Sequence, residues 1–312
     1  MTGKYLSKLV QGDNRTTLSS CCNDRLPDEF DLKKFREGQK FFQKNIAACL
    51  LAMLCSLVIG MSVTDLLDPL AFTEKSDTPK KSLIRYLKTM MYVVQWHCGN
   101  IWDVNSNARK SIQTVCSLHD NTRTNMMKKA ENKKLYVSQY DMSLVQSGFI
   151  GAIIMYPKQF GIRADRQELE DYVYFWRWIG YLLGIEDCNN ICKNSLDESI
   201  AICHEIEDII VYPALQKPPP KFHLMAKAFT DGTNLLHKFK LFTPESIISF
   251  RLDRTGKKRI NYSFVDRFRI LFLKAVVDLL YYCSGFRYLI NIAFINLCKS
   301  VEQKNRLQYI NP

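Results

Sequence analysis

An uncharged run of eighteen residues, Ile46–Val63, constrains the fold of this chain more than any other feature. A run of this length is close to the minimum for a transmembrane helix, because the hydrocarbon core of a bilayer needs about 20 helical residues. Asp65 follows almost at once and ends the run. These length criteria favour a buried central helix over a membrane span.

Composition sets wider limits on the fold and on the partners. The chain has 312 residues, of which 47% are hydrophobic, so it can bury one large core or two small ones. Strand-like alternation is scarce, and the sequence therefore predicts an all-α protein. A net charge of +12 favours anionic partners such as phospholipid head groups or nucleic acid. Zinc-finger spacing and RNA-recognition motifs are missing, so we predict no nucleic-acid binding.

The cysteines and the acidic segments give no sign of a metal site. Cys49, Cys55 and Cys283 lie in apolar stretches, and the eleven cysteines do not form paired Cys-x-x-Cys motifs. We interpret them as reduced core residues. The acidic segment Ser195–Val211 contains His204 but lacks the second His of a zinc-protease motif, and we predict that it presents an exposed acidic face.

The chain divides into three predicted parts. Residues 1–30 are polar and lack the pattern of a secretory signal peptide, so we predict a disordered segment and an intracellular protein that is not secreted. Residues 31–216 form the predicted main helical domain. The stiff break Lys217-Pro218-Pro219-Pro220-Lys221 then begins a C-terminal helical extension, 217–312, that we expect to pack on the domain.

The C-terminal extension is both basic and apolar. Every eighteen-residue window of its apolar stretch, Val265–Leu297, contains a charged residue, including Arg267 and Arg287. Such a stretch favours packing on the domain or lying in a membrane interface over spanning a bilayer. We therefore predict peripheral contact with the endoplasmic reticulum or another membrane surface.

The best candidate site lies between two predicted helices. On the first, Arg85, Lys88 and Thr89 share one helical face at positions i, i+3 and i+4. On the second, His119 sits one turn before Arg123, and an aromatic and apolar run between the two helices would form the wall of the space separating them. One imidazole, an apolar slot and a few polar groups suit a flat, largely apolar cofactor such as haem.

These residues resemble the catalytic core of the latex-clearing and MpaB-type rubber oxygenases, in which Arg-x-x-Lys-Thr is followed after a fixed gap by His-x-x-x-Arg. Two later segments carry the same resemblance. Gln139–Phe149 is similar to the family's Asp-plus-aromatic helix, and Tyr174–Ile185 looks like its Trp-Arg-x-x-Gly-x-x-Leu-Gly signature. The last segment is the most specific, because a Trp-Arg pair and two spaced glycines in one helical run are rare by composition.

The resemblance implies a globin-like helical core with additional surrounding helices, which binds haem b. In that arrangement His119 is the axial iron ligand and Arg123 a further cofactor-binding residue. Arg85, Lys88 and Thr89 line the oxygen-binding face of the haem as catalytic residues. The implied protein is a haem-dependent oxidoreductase that uses dioxygen to cleave or oxygenate an isoprenoid or other lipophilic unsaturated substrate.

One position departs from the family's pattern. The active rubber oxygenases carry a catalytic Glu upstream of the Arg, and here Pro69 stands at the matching distance. The nearest carboxylates are those of Asp68 and Glu74, either of which a shifted helix would bring into place. If neither replaces the Glu, the alternative is a non-catalytic haem- or lipid-binding protein associated with membranes.

Overall fold

The computed structural model describes residues 3–6, 27–129, 134–236, 239–257 and 262–296, and every regular element in these ranges is helical. The all-α prediction is confirmed. Residues 7–26 of the segment predicted to be disordered and residues 297–312 of the predicted extension lie outside the described ranges.

Twelve α-helices follow one another along the described chain. They are α1 (Leu32–Lys44), α2 (Ile46–Gly60), α3 (Thr64–Phe72), α4 (Pro79–Cys98), α5 (Asn107–Lys129), α6 (Gln139–Met155), α7 (Arg166–Leu182), α8 (Leu196–Ile206), α9 (Tyr212–Gln216), α10 (Phe222–Asn234), α11 (Pro244–Arg254) and α12 (Phe264–Tyr282). A short 3₁₀ turn, Lys158–Phe160, follows α6, and a π-helical turn, Glu207–Val211, joins α8 to α9. Residues 284–296 are helical as well.

Helix α2 contains most of the uncharged run and lies in the core. Nine of its fifteen residues are buried, in keeping with its uniformly apolar sequence. Within the described ranges, no single helix is long and apolar enough to cross a membrane. The pair α1 and α2, bent by 86°, meets the length and composition criteria when the two helices are taken together.

Helices α1 and α7 approach closely through a glycine. A Cβ atom on Gly38 would stand 2.4 Å from the carbonyl oxygen of Asp171, so only glycine allows the two backbones to meet this closely. Aromatic packing continues the contact, since the ring centroids of Phe35 and Phe175 are 4.8 Å apart. This contact fixes the helix that carries the Trp-Arg segment against the start of the domain.

The helices after residue 217 pack into the same hydrophobic core as those before it. Helix α10 crosses the start of α4, where a Cβ atom on Gly232 would stand 2.5 Å from the Pro79 carbonyl oxygen. Helix α12 covers Gly161, which has a left-handed backbone (φ +79°) and lies against the Val277 carbonyl. The chain break at 217–221 is observed between α9 and α10, whereas a domain boundary there stays a prediction.

The described cysteines are free thiols that differ in burial. Cys49 and Cys55 lie in the interior of α2 as predicted, and burial raises the pKa of the Cys49 thiol. The interpretation of Cys283 as a core residue is wrong, because this residue is exposed. It lies at the break between α12 and the final helical segment, where the chain leaves the regular packing.

Candidate functional site

Helices α4 and α5 carry the predicted site residues and lie against each other. Thr78 and Pro79 explain where α4 begins: the Thr78 hydroxyl accepts a hydrogen bond from the backbone N–H of Lys81 (3.4 Å), and Pro79 occupies the first helical turn. This start places Arg85 close enough to His119 on α5 for the guanidinium charge to affect the pKa of that imidazole.

Arg85 is held by the end of α3 and the loop that follows it. Its Nη1 donates to the Thr73 hydroxyl (2.6 Å), to the Ser76 hydroxyl (3.1 Å) and to the Leu70 carbonyl (3.4 Å). Burial lowers the pKa of Arg85, although a guanidinium stays protonated in proteins. Thr73 and Ser76 therefore position the guanidinium, a role that the sequence did not indicate.

Lys88 and Thr89 share the helical face of Arg85 but do not join it. Lys88 is exposed, and Thr89 is half-buried, with its hydroxyl donating to the Arg85 carbonyl one turn back (3.3 Å). In helical projection Lys88 lies about 60° to one side of Arg85 and Thr89 about 40° to the other, at 100° per residue. Of the three residues, Arg85 is the one that the structure brings to His119, and the catalytic roles of all three stay predictions.

His119 presents a neutral imidazole near two guanidinium groups. The ring is half-buried, and its Nδ1 is buried without a hydrogen-bond partner among the described residues. Burial lowers the pKa of His119 to about 4, against the attraction of Asp120, and the positive charges of Arg85 and Arg123 lower it further. A ring nitrogen of His119 therefore carries an available lone pair at neutral pH.

The guanidinium of Arg123, one turn after His119, has a hydrogen-bond partner for one of its two Nη atoms in the described ranges. Its Nη2 donates to the Asp120 carboxylate (2.5 Å), whereas its Nη1 is buried and has no partner among the described residues. A buried guanidinium nitrogen without an acceptor is costly, so this side chain is suited to receive an anionic group.

His97 also has an unpartnered ring nitrogen but sits in a closed aromatic cage. Its Nδ1 lies 2.7 Å from the Val93 carbonyl, and its Nε2 is buried without a partner. The ring stacks on Phe42 at a centroid distance of 3.7 Å, and the Phe175 ring packs against it in a tilted arrangement at 4.3 Å. Because the space beside the ring is filled, His97 is a core histidine and leaves no room for a cofactor.

The side chains on α4 and α5 include donor groups of the kind that hold a haem. A haem would need one side chain that binds its iron, which His119 offers, and Arg123 offers a donor for a propionate. Among the described residues no group of three or more His, Cys, Asp or Glu side chains could hold a metal ion by itself.

An open groove of about 410 Å³ lies along α3 and the last turns of α5. Its lining includes the apolar residues Leu67, Phe72 and Met126 as well as the charged residues Asp68 and Lys221. Met126 follows His119 by seven residues, so the two side chains project from the same face of α5, two turns apart. The groove has the size and lining of a site for a lipophilic small molecule.

Neither candidate carboxylate forms an ion pair with Arg85 in the described ranges. Asp68 accepts a hydrogen bond from Lys134 (3.3 Å), which also pairs with Asp65, and Glu74 is exposed with a left-handed backbone (φ +52°). Pro69 lies inside α3. Replacement of the expected Glu by Asp68 or Glu74 stays a prediction.

A second polar cluster, which the sequence did not reveal, lies deep in the protein. Glu207 and Arg251 form a buried ion pair. The hydroxyls of Tyr156 and Tyr212 each donate to Glu207 (3.2 Å), and Arg251 donates to the Ser56 hydroxyl (3.2 Å). Beside the pair is a cavity of about 40 Å³, large enough for one water molecule. The predicted exposed acidic face of Ser195–Val211 is therefore wrong for its last turn, where Glu207 is buried.

Comparison with solved structures decides the fold. No family model and no curated protein matches the sequence. A structure of latex clearing protein in the closed state superposes with a TM-score of 0.58 at 14% identity, over 83% of this chain and 70% of the other. This chain has the latex clearing protein fold. The resemblance inferred from the three motifs is thereby confirmed at the level of the fold, as is the globin-like core with surrounding helices. At this identity the latex clearing protein fold alone is shared.

Proposed function

We propose that this protein binds haem b through His119 and acts as a haem-dependent oxygenase on an isoprenoid or other lipophilic unsaturated substrate. The observation that carries the proposal is the half-buried, neutral His119, whose Nδ1 lacks a partner and which lies near Arg85 and Arg123. The latex clearing protein fold supports it, because the motifs that resemble the rubber oxygenases are those that supply these three side chains.

Each of the three side chains would have a separate task. The lone pair of His119 would hold the iron, and the unpartnered Nη1 of Arg123 would donate to a propionate. When bound, haem supplies the chemistry that activates dioxygen. Arg85, fixed by Thr73 and Ser76, keeps a positive charge beside the imidazole and can orient a polar group there.

The groove along α3 and α5 would receive the lipophilic substrate. Its apolar lining, from Leu67 to Met126, would bury a hydrocarbon chain and exclude water from it. The position of Met126 on the His119 face of α5 supports a path from this groove towards the proposed cofactor. Peripheral attachment at the endoplasmic reticulum or another membrane would bring such a substrate within reach.

A second candidate function is non-catalytic haem or lipid binding. It is favoured by the acceptors that Arg85 uses, because in the described ranges its Nη1 donates to two hydroxyls and one carbonyl and to no carboxylate. An oxygenase that needs a base at the position of Pro69 would be inactive here and would still bind haem through His119.

An absorption spectrum tests the haem site. The protein would be expressed with ample haem precursor and purified, and a Soret band is expected for the wild type and lost in His119→Ala. His223→Ala is the matched control, because His223 is exposed on α10 and should keep the band. A colourless wild type, or a His119→Ala variant of native helical content with an unchanged spectrum, would refute the assignment.

Oxygen uptake separates the two candidate functions. The haem-loaded protein would be mixed with a synthetic isoprenoid oligomer, and oxygen consumption would be followed together with the appearance of carbonyl products. Consumption that depends on the oligomer supports the oxygenase. A stable Soret band without consumption supports haem binding alone.

A further inference from the structure

Helix α12 has two apolar faces on opposite sides. One face enters the core through Ile270, Leu273, Val277 and Leu280. The other face is exposed, and we name it the outer stripe. The outer stripe consists of Phe264, Phe268, Leu271, Phe272, Leu279 and Tyr282. At 100° per residue their positions fall within about 100° on one side of the helix, roughly 180° from the buried face.

The side chains of the outer stripe are largely exposed to solvent. Phe264 is 71% exposed, Phe268 59% and Tyr282 69%. Single exposed apolar residues are common on proteins, but six on one face of one helix form a contiguous apolar surface. A surface of this kind marks a site of interaction.

The loop before α11 lies next to the first turns of α12. It contains three exposed apolar residues: Leu235, Leu236 and Phe239. The loop is tied to the beginning of α12, because Arg269 donates to the Lys240 carbonyl (2.9 Å) and the Thr243 hydroxyl donates to Asp266 (2.7 Å). The loop therefore adds exposed apolar residues near the beginning of the outer stripe.

Basic residues border the outer stripe. In helical projection Arg267 and Lys274 flank it on one side and Arg269 on the other. Lys274 pairs with Asp253 and Arg269 pairs with the buried Asp266, whereas Arg267 is exposed. The carboxylate of Asp278, the other acidic residue within 262–296, is paired with a neighbouring arginine. An anionic surface therefore meets aromatic rings at the centre and the Arg267 guanidinium at the edge.

We propose that the outer stripe and its loop dock on the surface of an anionic lipid bilayer. Aromatic rings enter the boundary between head groups and acyl chains, while the long side chain of the exposed Arg267 reaches the phosphates. Two copies of this chain would instead bring like-charged borders together, which disfavours a dimer through the same face. The proposal does not depend on haem or on turnover.

The structure also changes which residues should make this contact. Tyr281 and Phe286 also lie in the apolar stretch Val265–Leu297, which we predicted to pack on the domain or to lie in a membrane interface. Both are half-buried, and Phe286 packs against the core. Phe264, which precedes the basic residues of α12, is instead among the most exposed.

Vesicle co-sedimentation tests the proposal. The full chain would be mixed with phosphatidylcholine vesicles and with vesicles that also contain phosphatidylserine, at low and at high salt. Binding is expected mainly to the anionic vesicles, weakening with salt. Phe268→Glu combined with Phe272→Glu should reduce the partition coefficient by about tenfold or more, because apolar burial is lost and negative charge is added. Arg267→Gln should reduce it about fivefold.

The control is Val104→Glu, which places one carboxylate, against two in the double variant, at an exposed apolar position (53% exposed) in a loop between α4 and α5. It should bind vesicles as the wild type does. If the wild-type protein binds neither kind of vesicle, the proposal is wrong. Equal binding by the double variant and the control would overturn it as well. A dimer in size-exclusion chromatography that Phe268→Gln alone dissociates would show that a second copy, and not lipid, covers the outer stripe. Circular dichroism of each variant excludes unfolding as the cause.

Discussion

His97 should make the protein less stable as the pH falls below neutrality. Burial lowers the pKa of His97 to about 3, partly opposed by its contact with the Val93 carbonyl, whereas a histidine in the unfolded chain has a pKa of 6.5. Between these two pH values the His97 side chain therefore binds a proton in the unfolded state but not in the folded state. This contribution to stability is fully present above pH 6.5 and is lost progressively as the pH falls towards 3.

The expected loss follows from the two pKa values. At pH 5 the unfolded histidine is almost fully protonated and the folded one is neutral. The difference of 1.5 units between 6.5 and the ambient pH corresponds to about 2 kcal/mol of unfolding free energy. Since the ring is completely buried, solvent does not screen this effect appreciably.

The assay is urea unfolding, followed by circular dichroism at pH 7 and pH 5, of the wild type and of His97→Phe. Phenylalanine keeps a flat ring between Phe42 and Phe175 but cannot titrate. Other groups, including His119, titrate in both proteins, so the informative quantity is the difference between the two losses of stability. The wild type should lose about 2 kcal/mol more than His97→Phe. Equal losses would refute the assignment of His97 as a buried neutral residue.

Three further substitutions test the packing and the site. Gly38→Ala should lower the unfolding free energy by about 1–3 kcal/mol, measured by urea unfolding, because the new methyl group would meet the Asp171 carbonyl; an unchanged midpoint would mean that α1 and α7 can separate freely. Glu207→Gln should cost about 3–5 kcal/mol by leaving the buried Arg251 charge without its counterion, whereas an effect below 1 kcal/mol would show that water reaches the pair. Lys88→Ala should change stability by less than about 0.5 kcal/mol, as expected for an exposed side chain, and a larger loss in the same assay would contradict the exposure of this residue.

The sequence predicted the parts of this fold that depend on local pattern. Helices are stabilised by contacts within a few residues, so the uncharged run in α2 and the break at 217–221 were both visible in the residues themselves. The nearness of His119 to Arg85 was also predictable, because motif spacing placed them on neighbouring helices.

Contacts between distant residues were not predictable in this way. Glu207 and Arg251 are 44 positions apart, and nothing local marks either as buried. The acidic surroundings of Glu207 indicated an exposed surface, and tertiary packing overrode that pattern. The role of Gly38 was not predictable from its neighbours in the sequence either, since it depends on close contact with the Asp171 backbone on another helix.

The orientation of Lys88 shows the limit of helical projection. Residues at i, i+3 and i+4 share a face, but that face is about 100° wide. The loop after α3 closes over Arg85 through Thr73 and Ser76 and leaves the edge at Lys88 open to solvent. A shared helical face therefore did not suffice to predict that all three residues lie in one site. The loop that covers this face decides which of them is enclosed.

Pro69 offers the sharpest test of whether this chain is an oxygenase or a carrier. The residue next to it, Leu70, has its carbonyl oxygen 3.4 Å from Arg85 Nη1, so position 69 is one residue away from a backbone group that contacts the guanidinium. Pro69→Glu would place a carboxylate where the resembling oxygenases have their catalytic Glu, and it restores a backbone N–H inside α3. Pro69→Gln is the matched control, with the same shape and no negative charge.

If a missing carboxylate is what limits turnover, Pro69→Glu should consume oxygen in the presence of a synthetic isoprenoid oligomer faster than either the wild type or Pro69→Gln. The Soret band should be equal in all three, because position 69 is separate from the proposed axial ligand. A general base typically contributes about 10²–10⁴-fold in rate, so the gain should be large enough to measure even with imperfect geometry. Equal turnover in the three proteins would show that the carboxylate is dispensable in this fold. No turnover in any of them, with haem bound in all, would leave haem binding as the function and would place the cause of inactivity beyond position 69.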